Sequence, residues 1–190
     1  MAGFKTKVTP EIEKLTDICR DNTSLDLSLY AKYDVKRGLR DINGKGVLAG
    51  LTQVSNVQAT KMVDGKEVPC AGKLSYRGYD IKDLTKGFIQ DDRYGFEEVA
   101  YLLLFGKLPD KQQLMDFTEL LANQRSLPTN FVRDVIMKAP SKDIMNGLSR
   151  SVLTLYSYDH NPDDTSLPNV LRQCLNLISV FPLLSVYGYQ

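Results

Sequence analysis

The side chain best suited to acid–base chemistry at neutral pH is the sequence's only histidine, His160. It lies between Tyr158-Asp159 and Asn161-Pro162, in a polar segment rich in turn-forming residues. A catalytic histidine needs neighbours that orient it and tune its pKa, and the sequence around it offers no evident partner. A solvated loop residue is therefore expected here, with a functional role as the alternative.

The three cysteines, Cys19, Cys70 and Cys174, are odd in number, far apart and outside any CxxC spacing. This pattern is typical of free thiols in a reducing compartment and not of a disulfide framework. With one histidine in the chain, a histidine-rich metal cluster cannot be built. We therefore expect no metal site.

The charge balance argues against a nucleic-acid partner. The 190 residues include 24 Lys plus Arg and 23 Asp plus Glu, for a net charge of +1, and this leaves no field to steer the chain onto phosphate backbones. The start lacks the apolar segment of a secretory signal. Polar residues, glycine and proline interrupt the apolar stretch from Leu175 to Tyr189, which falls short of the roughly 20 residues of a membrane span. A cytoplasmic protein without a membrane association is expected.

Helix signals dominate the sequence. Thr9-Pro10 predicts a helix start, since threonine caps and proline suits the first helical position. Asp80 predicts a cap for the helix that follows it, and Gly106 a helix stop. Ser141 is expected to cap a longer helix. The final helix is expected to bend at Phe181-Pro182.

The longer helix after Ser141 carries an apolar stripe that consists of Met145, Leu148, Val152 and Leu155. We interpret this stripe as part of the core, and a dimer face is the alternative.

Strand-like sequence is confined to residues 51–77. Asp64-Gly65 between two alternating segments predicts a tight hairpin turn. Leu74 and Tyr76 alternate with polar neighbours, as in a half-buried strand. Pro69 and Gly72 should keep the sheet small. The predicted class is all-α with a small N-terminal β-hairpin.

Three segments together resemble the citrate synthase family. The first is KYDVKRGLRDINGKGVLAGLTQVSNV at residues 32–57. The second is GKLSYRGYDIKDL at 72–84, continuing into GFEEVAYLLLFGKLPDKQQL at 95–114. The third is LRQCLNLISVFPLLSVYGYQ at 171–190. The combination and spacing of these pieces carry the resemblance, with an apparent hairpin insertion around residues 61–70.

The resemblance implies a largely helical fold, a homodimer of packed antiparallel helices, and condensation of acetyl-CoA with oxaloacetate to citrate and CoA, as in the tricarboxylic acid cycle. The family's reaction uses an aspartate base, two histidines and arginines, without a metal or redox cofactor. No stretch of this chain matches the motifs that carry those histidines and that aspartate. The resemblance therefore implies no catalytic residue here, and acetyl-CoA enters as a substrate.

Arg40, in Gly38-Leu39-Arg40, matches a family position whose arginine approaches a phosphate of CoA. A guanidinium suits that role because it donates several charge-assisted hydrogen bonds to phosphate oxygens; the alternative is an exposed arginine beside Asp41. Arg77 belongs to the Tyr-Arg-Gly-Tyr motif and is interpreted as structural, with Gly78 permitting the turn. Many family members have arginine where this chain has Gln190, so a CoA contact at that position loses its charge.

Residues 1–190 are therefore interpreted as an N-terminal, helical portion of a citrate synthase, truncated within an apolar C-terminal stretch. A 2-methylcitrate synthase and a non-catalytic helical assembly module are the alternatives.

Overall fold

The computed structural model describes residues 4–36, 38–40 and 46–189. Helices account for most of this part of the chain, and one small sheet accounts for the strands. The α-helices are α1 (Pro10–Thr23), α2 (Ser28–Lys32), α3 (Ile81–Gln90), α4 (Phe96–Phe105), α5 (Lys111–Gln124), α6 (Ile144–Leu155) and α7 (Leu167–Tyr189). A π-helical turn covers Val132–Met137 and a 3-10 turn covers Tyr156–Tyr158. The strands are β1 (Ser55–Val63), β2 (Lys66–Tyr76) and β3 (Tyr79–Asp80).

Two compact units divide the chain: Met1–Asp17 with Lys111–Gln190 form the first, and Ile18–Asp110 form the second. The sheet, α3 and α4 belong to the second unit, whereas α5, α6 and α7 belong to the first. The observed fold class is therefore helical with a minor sheet, and the predicted "all-α" class describes it only approximately.

The hairpin in the second unit is longer than the sequence suggested. Asp64 and Gly65 form its turn with φ values of 51° and 75°, as an Asp-Gly turn requires, which confirms that prediction. The expected limit at Pro69 and Gly72 was wrong, because β2 runs through both residues. The pairing shifts register there, from Thr60 opposite Pro69 to Gln58 opposite Lys73. The pairing is irregular between these two pairs of residues, and this irregularity accommodates a proline and a glycine inside a strand.

The helices of the second unit are positioned by their ends. Asp80 caps α3 by accepting a hydrogen bond from the Lys82 amide at 2.9 Å, as predicted. Gly106 ends α4 with φ 75°, and its amide donates to the Leu102 carbonyl at 2.9 Å. This confirms the predicted stop, because that left-handed conformation favours glycine. The core of this unit consists of Leu84, Tyr101, Leu102 and Phe105.

The core of the first unit lies where α6, α7 and the π-helical turn meet. Its fully buried side chains are Phe131, Leu155, Val180 and Leu184. Leu148 and Val152 pack against them, so the core interpretation of the α6 stripe is confirmed for Leu148, Val152 and Leu155. The fourth member, Met145, is 70% exposed, because it lies in the first turn of the helix and outside the packed region.

Two helix ends in the first unit test the predicted caps. The Ile12 amide donates to Thr9 Oγ1 at 3.5 Å as α1 begins at Pro10, as predicted. The cap predicted at Ser141 was wrong: Asp143 caps α6 by accepting from the Asn146 amide at 3.1 Å. Ser141 Oγ instead accepts a hydrogen bond from the Asp143 amide, which forms a local turn before the helix.

The last helix, α7, continues through Pro182 to Tyr189. Proline removes one backbone donor from the helical ladder, and here the packing of Val180 and Leu184 around it holds the helical path. By length and composition alone α7 is also long and apolar enough to cross a membrane. Core helices of water-soluble proteins pass the same test, and four buried polar side chains place one face of α7 in this core: Asn169, Arg172, Asn176 and Ser179.

Candidate functional site

Arg40 lies in an exposed segment of the second unit. It forms an isolated antiparallel bridge with Gly46, and two backbone hydrogen bonds join the residues on either side of this bridge. The Lys36 amide donates to the Leu48 carbonyl at 2.8 Å, and the Val47 amide donates to the Leu39 carbonyl at 3.4 Å. Arg40 is an exposed residue. Asp41, its neighbour in the alternative interpretation, lies outside the described residues.

Arg77 has the structural role that the sequence predicted. It has φ 48° and Gly78 has φ 89°, so these two residues form the tight turn between β2 and β3. The guanidinium Nη2 and Nε donate to the Leu103 carbonyl at 2.8 and 3.3 Å. That carbonyl is in the last turn of α4, where the helix provides no amide partner, so Arg77 ties the hairpin to the end of α4.

His160 is exposed in the loop between the 3-10 turn and α7, which agrees with a solvated loop residue. No hydrogen bond or ion pair of this imidazole is seen in the described part of the chain. Gln190 lies outside the described residues. His160 belongs to the first unit, whereas Arg40 and Arg77 belong to the second.

A buried polar cluster that the sequence did not reveal lies beside His160, in the first unit. Arg172 and Asp159 form its ion pair, with 2.6 Å between Nη2 and Oδ2, and their side chains are only 1% and 9% exposed. Arg172 Nε also donates to Asn169 Oδ1 at 2.9 Å, and Nη1 donates to the Lys5 carbonyl at 3.3 Å. Asn176 Nδ2 donates to the same carbonyl at 2.6 Å. The cluster thus fastens the N-terminal segment to α7.

Arg172 determines the charge state of Asp159. Burial alone would raise the pKa of this carboxyl, but the hydrogen bond and charge of Arg172, with bonds from the Asn161 amide and Gln173, outweigh it and hold the pKa below its ordinary value. Asp159 is therefore ionised near neutral pH and forms a neutral pair with Arg172. A carboxylate engaged in this way is a poor general base.

One sequence signal could have located this cluster. The polar residues of α7 recur at positions 169, 172, 176 and 179, which is the i, i+3, i+7, i+10 spacing of a single helix face. The apolar residues beside them dominated the sequence interpretation, and a polar stripe along a buried helix indicates a hydrogen-bonded network.

Among the described residues, no group of three His, Cys, Asp or Glu side chains is placed to hold a metal ion. Comparisons with known proteins show which family this helical fold belongs to. Residues 39–190 match the family model described as "Citrate synthase, C-terminal domain", so the chain belongs to the citrate synthase family. The resemblance stated from the sequence is confirmed.

Three relatives illustrate the match. The 2-methylcitrate synthase 2 of Corynebacterium glutamicum is 37% identical over 106 residues, which are 56% of this chain and 22% of that protein. The citrate synthase of Haloferax volcanii is 34% identical over 132 residues, 68% of this chain and 29% of that protein. The crystal structure of citrate synthase from Pyrobaculum aerophilum matches with a TM-score of 0.59 and 25% identity, covering 80% of this chain and 37% of that one. The chain therefore spans well under half the length of these relatives.

Proposed function

We propose that this chain is part of an enzyme that condenses acetyl-CoA with oxaloacetate to give citrate and CoA. The match of residues 39–190 to the citrate synthase family carries this proposal. Relatives named citrate synthase and relatives named 2-methylcitrate synthase both match. Because 2-methylcitrate has one more methyl group than citrate, the second activity would use an acyl-CoA one carbon longer. Parallel assays of the complete enzyme with acetyl-CoA and propionyl-CoA distinguish the two activities.

The 190 residues alone should release no CoA from acetyl-CoA in an oxaloacetate-dependent reaction. The reason is that no stretch of these 190 residues matches the motifs that carry the family's histidines and aspartate base, and the only histidine, His160, is in an exposed loop. A thiol-reactive dye measures CoA release with and without oxaloacetate. Release well above that of a heat-denatured sample would contradict this expectation.

Arg40 is proposed to anchor a phosphate of CoA and to take no part in bond making. In the complete enzyme, Arg40→Ala should raise the KM for acetyl-CoA roughly tenfold, because a charge-assisted contact is lost. If the contact is equally strong in the ground and transition states, kcat should hardly change. The KM for oxaloacetate should be unaltered, since Arg40 handles none of its carboxylates.

Lys36→Ala is the matched control for Arg40, because Lys36 is an exposed cation of the same segment. Steady-state kinetics of this variant should equal those of the wild type. An unchanged KM for acetyl-CoA in Arg40→Ala would remove Arg40 from the binding site. An equal rise in both variants would indicate a general charge effect and not a phosphate contact.

The complete enzyme is also proposed to be a homodimer. The C-terminal part of α7 exposes Phe181, Val186, Tyr187 and Tyr189, with Tyr189 80% exposed. Exposed apolar side chains grouped on one helix favour association. The 190-residue chain should therefore self-associate in light scattering, and the double variant Val186→Lys/Tyr189→Lys should do so less. A monodisperse monomer of the wild-type chain at high concentration would contradict the assignment.

A further inference from the structure

The outer edge of the hairpin is an unpaired strand. The sheet order is β1-β2-β3, so β1 has β2 on one side, and no strand of the described chain lies on its other side. All nine residues of β1 are exposed, and Val57 and Met62 are 75% and 67% exposed. An edge strand presents a row of backbone N–H and C=O groups that can pair with another strand. β1 therefore offers backbone donors and acceptors beside exposed apolar side chains.

β1 is regular along its length, whereas β2 is not. The register shift after Gln58 leaves one residue of β1 opposite three residues of β2, so the extra residues belong to β2. On β2, Pro69 lacks an amide donor, and β3 already pairs with the end of the strand. β1 contains no proline or glycine and one charged residue, Lys61. Of the two outer edges of the hairpin, β1 is therefore the one suited to strand pairing.

The residues of β1 restrict how a second copy of this strand could lie beside it. Two antiparallel copies related by a two-fold axis place one residue opposite itself, and the middle of β1 offers Ala59, Thr60 and Lys61 for that position. A centre at Lys61 sets like charges directly opposite each other, which is destabilising. A centre at Ala59 sets Val57 opposite Lys61 and so pairs an apolar side chain with a charge.

A centre at Thr60 avoids both conflicts. It sets Val57 opposite Val63 of the second copy at each end of the contact, and these valines are 75% and 41% exposed in the single chain. Their contact removes apolar surface from water. Thr60 lies opposite Thr60, a pair that forms hydrogen bonds across antiparallel strands. Lys61 then faces the small Ala59. β1 is thus self-complementary in this one register.

We propose that β1 pairs with β1 of a second copy of this chain, antiparallel and centred on Thr60, so that the two hairpins join into one continuous sheet. A two-stranded ribbon is marginally stable alone, and additional strands relieve that limit. β1 belongs to the second unit, whereas the α7 surface of the proposed homodimer belongs to the first. The two contacts are therefore distinct and can be tested separately.

Disulfide trapping tests the centre of the pairing. The background chain has five substitutions, three that remove the native thiols and two that weaken the α7 contact: Cys19→Ser, Cys70→Ser, Cys174→Ser, Val186→Lys and Tyr189→Lys. In this background Thr60→Cys sets two thiols opposite each other, where the Cα separation of paired strands falls within the roughly 4.4–6.8 Å that a disulfide spans. Met62→Cys is the matched control on the same strand. In the proposed register its two copies are offset by four residues, or about 13 Å along the strands.

In a glutathione redox buffer, Thr60→Cys should form covalent dimers at least about tenfold faster than Met62→Cys, because pairing raises the local concentration of the facing thiol. Non-reducing gel electrophoresis measures the dimer, and circular dichroism confirms that both variants are folded. Equal rates, a faster reaction of Met62→Cys, or no dimer of Thr60→Cys would overturn the proposal. None of these results would bear on the α7 homodimer.

A charge exchange tests the ends of the pairing. In the Thr60→Cys chain, Val57→Lys/Val63→Lys sets lysine opposite lysine at both ends, and Val57→Glu/Val63→Glu sets glutamate opposite glutamate. Each should slow dimer formation at least about fivefold, because like charges directly opposite each other are destabilising. An equal mixture of the two variants should recover a fast reaction, since each glutamate then faces a lysine. A mixture no faster than either variant alone would overturn the register.

Discussion

Arg172→Met should lower the free energy of unfolding by about 3–5 kcal/mol, which is the usual effect of removing one partner of a buried ion pair. The substitution keeps a long apolar side chain on α7, and it leaves Asp159 only 9% exposed without its cation. It also removes donors from Asn169 Oδ1 and the Lys5 carbonyl. Urea denaturation followed by circular dichroism measures the change.

The effect of Arg172→Met should depend on pH. In the wild type the pKa of Asp159 is lowered in the folded protein. Ionisation of Asp159 therefore stabilises the fold at pH values above the pKa of an aspartate in the unfolded chain, which is near 4. This stabilisation is lost as the pH falls through the lower pKa of the folded protein. In the variant, burial without the arginine raises the pKa of Asp159, so protonation favours the folded state. The difference in stability between the two proteins should therefore be largest near neutral pH and should shrink below about pH 4.

Two further variants separate charge from packing at Arg172. Arg172→Met/Asp159→Asn should recover part of the loss, because no uncompensated charge remains buried. Arg133→Met is the surface control: Arg133 bonds Asp134 at 2.8 Å but is 66% exposed, and its removal should leave the unfolding midpoint nearly unchanged. Equal destabilisation by Arg133→Met and Arg172→Met would contradict the role assigned to burial.

Gly106→Ala should lower the free energy of unfolding by about 2–3 kcal/mol. At φ 75° an alanine pays about 1–2 kcal/mol for the left-handed conformation. Its Cβ would also lie 3.0 Å from the Asn22 carbonyl oxygen and 3.0 Å from Asn22 Cβ, a tight contact that Asn22 relieves only by moving a few tenths of an ångström. Thermal and urea unfolding both report the change.

Gly87→Ala is the matched glycine control, in the interior of α3 within the same unit. A Cβ at that position meets nothing within 4 Å. An alanine there should stabilise the protein by about 0.5–1 kcal/mol, because it reduces the entropy of the unfolded chain. Destabilisation of similar size in both variants would show that the conformation of Gly106 is not the cause.

The sequence predicted the features that are set by neighbouring residues. Thr9 before Pro10, Asp80 before α3, the Asp64-Gly65 turn and Gly106 all act within a few positions of the chain. Their chemistry is the same in any fold, so their positions were predicted correctly. The family resemblance, which rests on several local motifs in order, was confirmed by the match of residues 39–190 to the family model.

The features that the sequence did not predict depend on distant contacts. The helix continues through Pro182 because Val180 and Leu184 on either side are buried in the core. The partner of Arg172 is thirteen residues away, and its acceptor at Lys5 is 167 residues away. A helical pattern shows that position 172 shares a face with 169 and 176, but not what that face meets.

The bonds from α7 to the Lys5 carbonyl also affect the order in which the protein forms. Arg172 and Asn176 are 167 and 171 residues from that carbonyl, so the chain must close a loop of nearly its own length to make these bonds. During synthesis, residues 18–110 leave the ribosome well before α7 does, and the second unit can collapse on its own contacts. The N-terminal segment must meanwhile remain unpaired. Its docking onto α7 is therefore expected among the last and slowest folding events, since contacts of high sequence separation form late.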